Sequence, residues 1–287
     1  MKGLRMEGRT PHMKAPTTRA SSGTGTGGSP DTGVWLRRYQ IASALRARLI
    51  CFPHAGGSAS YFVSVSRRLS PELDVLAVQY PGRQDRRHEP CIEDIGALAD
   101  GITPELLPLA DRPLALFGHS MGAAVAFETV RRLEERGVAP AVLFVSSRPS
   151  PSSVHDEGLH RSGDRTLIAE MQRLDATDAR ILEDPELLEM ILPVLRGDYK
   201  AVETYRCRPP NAAVDCPVVA LFGDDDPQTP HEECLRWKQH TRGRFDMHVF
   251  EGGHFYLNTH ADSVMRIIAE RIRYVSPVYY GPRSASI

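Results

Sequence analysis

The chain has 287 residues, 41% of them hydrophobic, and a formal net charge of −1, as is ordinary for one large globular domain. This charge balance argues against general binding to nucleic acid or membranes. The five cysteines form no C-x-x-C pair, no apolar run is long enough to span a bilayer, and the N-terminus lacks the apolar stretch of a secretory signal. We therefore expect a cytoplasmic monomer with free thiols.

Residues 1–33 differ from the rest of the chain in composition. Between Pro16 and Gly33, 15 of 18 residues are Ser, Thr, Gly or Pro. Such a segment cannot bury enough apolar surface to offset the entropy lost on ordering. The sequence therefore predicts a disordered N-terminal tail over 1–33, followed by a single domain over 34–287 that closes with a second short tail.

From Trp35 onward, strand and helix patterns alternate. Strands are predicted at 47–52, 74–79, 113–118, 141–146, 217–222 and 245–250. Helices are predicted at 59–70, 91–108, 121–136, 231–240 and 260–273. This alternation is typical of an α/β fold, with a mostly parallel central sheet and helices on both of its faces.

The pentapeptide GHSMG at 118–122 joins the apolar strand 113–118 to the helix predicted at 121–136. A G-x-S-x-G motif between a strand and a helix is typical of a nucleophile elbow, where a sharp turn exposes the serine hydroxyl. The two glycines remove the Cβ atoms that would clash in so tight a turn. Ser120 is therefore the predicted nucleophile.

An acid and a base follow the serine. Asp224, Asp225 and Asp226 come after the strand predicted at 217–222, and His254 comes after the last predicted strand. The chain order Ser, Asp, His is that of the α/β-hydrolase fold. His254 can take the serine proton, while a carboxylate fixes its tautomer. Asp226 is favoured because it lies at the far side of its turn; the other two aspartates are expected to be solvated.

Stabilisation of the oxyanion requires two backbone N–H groups. Met121, directly after the nucleophile at the start of a helix, supplies the first of them. The turn His54–Gly57 is close to the HGGG loop of esterases, and the N–H of Ala55 is the second candidate. His54 and His119 flank the site and are expected to pack or form hydrogen bonds rather than to catalyse.

Neither a cofactor nor a metal is predicted. The sequence has no NAD or flavin motif, and five further histidines show no ligand spacing that other metal-binding residues support. These are His155, His160, His231, His240 and His260.

The longest stretch without a strand lies between Pro149 and Pro217. It carries helical patterns at Arg165–Leu174 and Pro185–Tyr205. In an α/β-hydrolase, an insertion at this point is a lid over the active site, here at about 150–210. Its apolar stripe is predicted to form the underside of the lid, or only to pack the lid onto the core. The stripe consists of Leu187, Leu188, Ile191, Leu192 and Leu195.

Over nearly all of 34–275, the sequence resembles the stand-alone type II thioesterases of polyketide and nonribosomal peptide biosynthesis. The resemblance rests on six segments: Cys51–Gly57, Tyr80–Arg83, Phe117–Ala123, Leu195–Tyr199, Phe222–Pro227 and Gly252–Leu257. That family carries its acid after the penultimate strand, which supports Asp226. One departure is Ser147, where a glycine is expected.

The resemblance implies an editing role, in which a serine thioesterase removes unwanted short acyl groups from the phosphopantetheine arm of acyl or peptidyl carrier proteins. A chain-releasing thioesterase is the main alternative. Those enzymes place their acid after the sixth strand of the family's fold, which corresponds here to the strand predicted at 141–146. The stretch Val145–Pro151 at the end of that strand contains no carboxylate. The chain also shows no carrier domain before the hydrolase. A generic carboxylic ester hydrolase and a non-catalytic binding protein of the same fold are further alternatives.

Carrier proteins are usually acidic around the modified serine, which suggests a basic docking surface. Arg83, Arg86 and Arg87 follow the strand predicted at 74–79, at the same edge of the sheet as the triad. They are a candidate docking loop. The alternatives are a solvated loop face, or a role for Arg83 in bracing the core through a carboxylate.

Overall fold

The structure is a computed structural model, and it describes residues 33–42, 45–174 and 184–273. Apart from Gly33, the predicted N-terminal tail lies outside these residues. The same holds for the predicted C-terminal tail and for residues 175–183 of the predicted lid.

The described residues form a seven-stranded sheet in the order β1-β3-β2-β4-β5-β6-β7. The strands are β1 Leu36–Arg38, β2 Arg48–Phe52, β3 Asp74–Val78, β4 Leu114–His119, β5 Val142–Ser146, β6 Val218–Gly223 and β7 Phe245–Phe250. Strand β1 pairs antiparallel with β3, and the other neighbours pair parallel. The predicted mostly parallel α/β architecture is confirmed.

The helices cover both faces of this sheet. In the described residues they are α1 Val63–Leu69, α2 Ile95–Leu106, α3 Met121–Glu135, α4 Asp164–Arg173, α5 Pro185–Thr204, α6 His231–Leu235, α7 Tyr256–Thr259 and α8 Ala261–Arg273. Short 3₁₀ turns extend several of them, such as Leu107–Leu109 after α2. None of the described helices is both long and apolar enough to cross a bilayer.

Alternating side chains of the central strands divide the core into two layers. Strands β2 to β6 are buried along their whole length, as expected for parallel strands covered on both faces. Ile50 and Leu116 pack in the layer with α2 and α3, whereas Leu49 and Phe117 pack in the layer with α1 and α8. The strands therefore present their carboxyl ends at a common edge, where the predicted site residues follow.

The six predicted strands agree with the structure to within one residue at each end. Strand β1 was not predicted, because it has only three residues and its burial comes from pairing with β3 rather than from an alternating pattern of its own. The predicted helices at 165–174 and 185–205 are present as α4 and α5.

Candidate active site

Ser120 occupies a strained turn between β4 and α3. Its backbone angles are φ 53° and ψ −119°, which a non-glycine residue rarely adopts. A Cβ atom on Gly118 would lie 2.2 Å from the carbonyl oxygen of Gly122, and one on Gly122 would lie 2.1 Å from that of Phe52. Only glycine fits at these two positions, and the serine is held at the carboxyl edge of the sheet.

The structure brings Ser120, His254 and Asp226 together in one chain of hydrogen bonds. Ser120 Oγ lies 2.9 Å from His254 Nε2. On the other side of the ring, His254 Nδ1 lies 2.9 Å from Asp226 Oδ2 and 3.1 Å from Asp226 Oδ1. This geometry suits proton transfer from the hydroxyl to an imidazole that a carboxylate orients.

The other two aspartates of the turn are exposed and lie apart from this chain. Asp224 accepts a hydrogen bond from the N–H of Gly252 at 2.9 Å, and the N–H of Asp225 donates to the carbonyl of Gly252. Asp226 is buried at the far side of the turn, as the sequence suggested.

Asp226 has further donors that the sequence analysis did not identify. The Thr229 hydroxyl donates to Oδ2, and the N–H of Gln228 donates to Oδ1 at 2.9 Å. Burial by itself raises the pKa of Asp226, but the hydrogen bond and charge of His254, together with these two donors, lower it below its ordinary value. The three-residue spacing from Asp226 to Thr229 within a turn is the signal that could have indicated this contact.

Two further histidines lie near the imidazole of His254. His119 Nδ1 lies 2.9 Å from Ser146 Oγ, which in turn lies 2.8 Å from the hydroxyl of Tyr256. His54 packs edge-on against Phe255, with ring centroids 4.8 Å apart. Burial, followed by the proximity of His254, lowers the pKa of His54 to about 3 and that of His119 well below its ordinary value. Both rings are therefore neutral neighbours.

Ser147 occupies the position where the family resemblance leads us to expect a glycine, and the structure shows what the serine does there. Its φ is 46°, in the region that favours glycine. The serine hydroxyl donates to the backbone carbonyl of His254 at 2.9 Å. The side chain thereby connects the residue after β5 to the backbone of His254.

The two oxyanion candidates come from different elements near Ser120. Met121 is the first residue of α3, where its N–H has no partner within the helix. Ala55 follows β2 in the turn His54–Gly57 and lines the same pocket as Ser120. Neither amide donates a hydrogen bond to any of the residues that the structure describes.

A pocket of about 220 Å³ opens beside Ser120 and His254. Its apolar wall comes largely from the predicted lid segment. These lid residues are Leu159, Met171, Leu174, Ile191, Leu195 and Val202. Ile191 and Leu195 line the pocket as the predicted apolar underside requires, but the prediction is wrong for Leu187, which lies near the start of α5 and is 37% exposed.

The proposed docking loop is not a basic surface. Arg83 is buried and forms an ion pair with Asp198 of α5. Arg86 is also buried: it pairs with Glu89 and lies over the ring of Trp35, 4.4 Å from its centroid. Of the three arginines, only Arg87 is exposed. The docking prediction is wrong for Arg83 and Arg86, because their charges are already occupied within the protein.

One histidine outside the triad has acidic neighbours that the sequence spacing did not reveal. Asp156, His160 and Glu203 each place a potential ligand atom within 4.8 Å of the others. The carboxylate of Glu203 accepts hydrogen bonds from His160 Nδ1 and from the N–H groups of Leu159 and His160. Through these bonds, Glu203 supports the loop that precedes α4, which explains why these residues lie together.

Comparison with known proteins gives consistent similarities. Residues 47–272 match the family described as "Thioesterase domain". The chain is similar to the probable cadicidin biosynthesis thioesterase of Streptomyces griseus, with 53% identity over 238 residues, 83% of this chain and 66% of that protein. It is 49% identical to the thioesterase PikA5 of Streptomyces venezuelae over 244 residues, covering 84% of this chain and 86% of that protein.

A solved structure gives the same result. The type II thioesterase BorB from the borrelidin biosynthetic cluster has a TM-score of 0.79 and 49% identity with this chain. The alignment covers 84% of this chain and 99% of that one.

Proposed function

This chain belongs to the thioesterase domain family, and we propose that it removes short acyl groups from the phosphopantetheine arm of acyl or peptidyl carrier proteins. The observation that carries the proposal is the continuous hydrogen-bond chain from Ser120 through His254 to Asp226, which opens into an apolar pocket. The similarity to type II thioesterases of polyketide and nonribosomal peptide biosynthesis supports this substrate class.

We assign Ser120 as the nucleophile and His254 as the general base. His254 Nε2 takes the hydroxyl proton while Ser120 Oγ attacks the thioester carbonyl. The carbon–sulfur bond then breaks, and the pantetheine thiol leaves with the proton held by His254. A water molecule attacks the acyl-serine with His254 again acting as base, which releases the carboxylic acid and restores Ser120. Asp226, ionised because its pKa is lowered, stabilises the imidazolium formed in both steps.

The N–H groups of Ala55 and Met121 are the proposed oxyanion donors. Both border the turn that carries Ser120, one from the loop after β2 and the other from the start of α3. Charge develops on the carbonyl oxygen in each tetrahedral intermediate, and fixed backbone donors stabilise it without reorganisation. The partial positive charge at the N-terminus of α3, where Met121 lies, also stabilises the negative charge on this oxygen.

The acid position favours an editing over a chain-releasing enzyme. His254 pairs with an aspartate after β6, and the segment after β5, Val145–Pro151, supplies no carboxylate. A pocket of about 220 Å³ with apolar lid residues also suits a short acyl group better than a finished product. We propose that the enzyme acts as a monomer with the carrier protein as its partner.

The decisive experiment offers the purified protein a panel of carrier proteins loaded with acetyl, propionyl, butyryl and longer acyl groups. Unloading is followed by mass spectrometry. We expect the wild type to release the short groups, and Ser120→Ala to remain folded but to lose hydrolysis by several orders of magnitude, since the triad acts as a unit. Hydrolysis by a folded Ser120→Ala protein would contradict the assignment. Equal rates on simple carboxylic esters and on carrier-bound thioesters would favour a generic ester hydrolase.

A further inference from the structure

Two motifs that the triad does not use meet in the structure. Arg83 ends the segment Tyr80–Arg83, and Asp198 lies in the segment Leu195–Tyr199 of α5. Their side chains form a bidentate ion pair, with distances of 2.6 Å from Nη1 to Oδ2 and 2.8 Å from Nη2 to Oδ1. Their side chains are only 7% and 1% exposed, so this pair is taken almost completely out of water.

The same pair holds the loop that follows Ala55. Asp198 Oδ2 accepts a hydrogen bond from the N–H of Gly56 at 2.7 Å. Arg83 Nη1 donates to the carbonyl of Gly57 at 3.1 Å. The peptide groups immediately after the oxyanion candidate are thus fixed through one N–H and one C=O, each bonded to a charged partner.

A buried ion pair is a poor means of stabilising a fold. Removing two charges from water costs free energy that their attraction only partly returns, and apolar replacements of similar volume are often neutral or stabilising. The presence of this buried pair is therefore better explained by a role in positioning neighbouring groups than by a role in stability. We propose that Asp198 and Arg83 are positioning residues for the oxyanion hole, which hold Gly56 and Gly57 so that the N–H of Ala55 points at the reacting carbonyl.

This role links the lid segment to the chemistry. Asp198 lies on α5 between Leu195 and Tyr199, which both line the pocket beside Ser120. Asp198 belongs to the buried C-terminal half of α5 and holds the loop after Ala55 through the N–H of Gly56. The same turn of α5 therefore both lines the pocket and positions the loop after Ala55.

The test compares three variants, and it rests on the proposed thioesterase function. Asp198→Asn removes the charge. The double variant Arg83→Met with Asp198→Leu removes both partners and so leaves no unpaired buried charge that would unfold the protein. Asp74→Asn is the matched control, because Asp74 is also a buried carboxylate that pairs with two arginines, Arg38 and Arg48, but lies at the opposite end of β3.

Four quantities are measured for each protein: the thermal midpoint, kcat and KM on an acyl-N-acetylcysteamine thioester, and the affinity for phenylboronic acid. This inhibitor adds to Ser120 Oγ and places a boron-bound oxygen in the oxyanion hole. We expect both Asp198 variants to lose about 10- to 100-fold in kcat, somewhat less than the loss of a whole oxyanion donor. KM should change less than about threefold, and boronic acid affinity should fall in parallel with kcat.

Asp74→Asn should leave kcat and inhibitor affinity within about twofold of wild type even where its thermal midpoint falls, because it touches no group near the reacting carbonyl. A folded double variant with wild-type kcat and inhibitor affinity would overturn the proposal. So would equal losses in all three variants, which would indicate a general effect of buried charge. If the wild type binds the boronic acid but hydrolyses no thioester, the proposed function fails, and the inhibitor comparison still decides the role of Asp198.

Discussion

The carboxylate of Asp226 accepts hydrogen bonds from other groups as well as from His254. The Thr229 hydroxyl and the N–H of Gln228 hold it within its turn, while Asp224 and Asp225 remain exposed. The three aspartates adjoin one another in sequence but differ sharply in environment. Substitution at each of them therefore separates the catalytic acid from its neighbours.

We expect Asp226→Asn to lower kcat by about 10³- to 10⁴-fold, because an amide favours the wrong tautomer of His254. Asp224→Asn and Asp225→Asn should stay within about threefold of wild type, since the amide introduced at position 224 keeps an oxygen that can accept from the N–H of Gly252. Steady-state kinetics on one thioester substrate checks all three variants. A collapse at Asp224 or Asp225 with Asp226→Asn near wild type would reassign the acid.

The buried histidines make stability depend on pH. An unfolded histidine titrates near pH 6.5, whereas His54 and His119 stay neutral in the fold because their pKa values are lowered. Below about pH 6.5 the unfolded chain binds more protons than the native protein does. The free energy of unfolding therefore decreases as pH falls through this window, by up to about 1.4 kcal/mol per pH unit for each histidine.

His119→Gln tests this dependence, because glutamine cannot titrate and can still bond Ser146. We expect the loss of stability between pH 7.5 and pH 5.0, measured by urea unfolding, to be smaller than in wild type by about 2 kcal/mol. The comparison uses the difference between the two pH values, so a constant destabilisation by the substitution cancels. Identical pH dependence in both proteins would show that His119 is protonated in the native state.

At the scale of residues, the elbow and the chain order predicted Ser120, Asp226 and His254, because each of them follows a strand that its apolar run makes recognisable. The structure places these three side chains in one chain of hydrogen bonds, and their catalytic roles stay a proposal. The arginines after β3 were predicted either to form a docking loop or a solvated face, or, for Arg83, to brace the core through a carboxylate, and the structure confirms the last alternative. Only the fold shows that Asp198, 115 residues later, buries Arg83. Pairings over such separations leave no local pattern.

At the scale of elements, α5 has two unlike halves. Met190 near its start is 61% exposed, and Leu187 is also exposed. Toward its end Gly197, Asp198 and Ala201 are buried, and Asp198 accepts a hydrogen bond from the N–H of Gly56. The C-terminal half is therefore fixed to the core, whereas the N-terminal half has little to hold it.

We expect hydrogen exchange to reveal this gradient. Amides at 186–192 should exchange at least about tenfold faster than those of β4, while amides at 197–204 should be protected nearly as well as the sheet. Mass spectrometry of peptic fragments, with and without a carrier protein, resolves the two halves. Uniform protection of α5 at the level of β4 under both conditions would contradict a moving lid.

The element boundaries that the sequence predicted best are those of the buried strands. Each is a short apolar run between turn residues, and each is confirmed to within a residue at either end. The apolar stripe of α5 was harder to interpret, because apolar spacing does not say which partner covers it. The structure turns Ile191 and Leu195 toward the pocket and leaves Leu187 outside.

At the scale of the whole molecule, the predicted relation to type II thioesterases of polyketide and nonribosomal peptide biosynthesis is confirmed, as is the class of thioester hydrolase. The tail over 1–33 stays a prediction, because all of it except Gly33 lies outside the described residues. The surface that meets the carrier protein has to be sought away from Arg83 and Arg86, whose charges are paired inside the protein.

The wide spacing of the site residues along the chain has a consequence for refolding. His254 bonds a serine 134 residues earlier, and Asp198 bonds a glycine 142 residues earlier. Contacts at such separation form late, because closing long loops costs entropy before any contact repays it. Helical signal from α3 can return while β6 and β7 are still undocked, but hydrolysis cannot. Recovered activity therefore reports the last steps of assembly, and it should lag behind the recovery of helix in any refolding experiment.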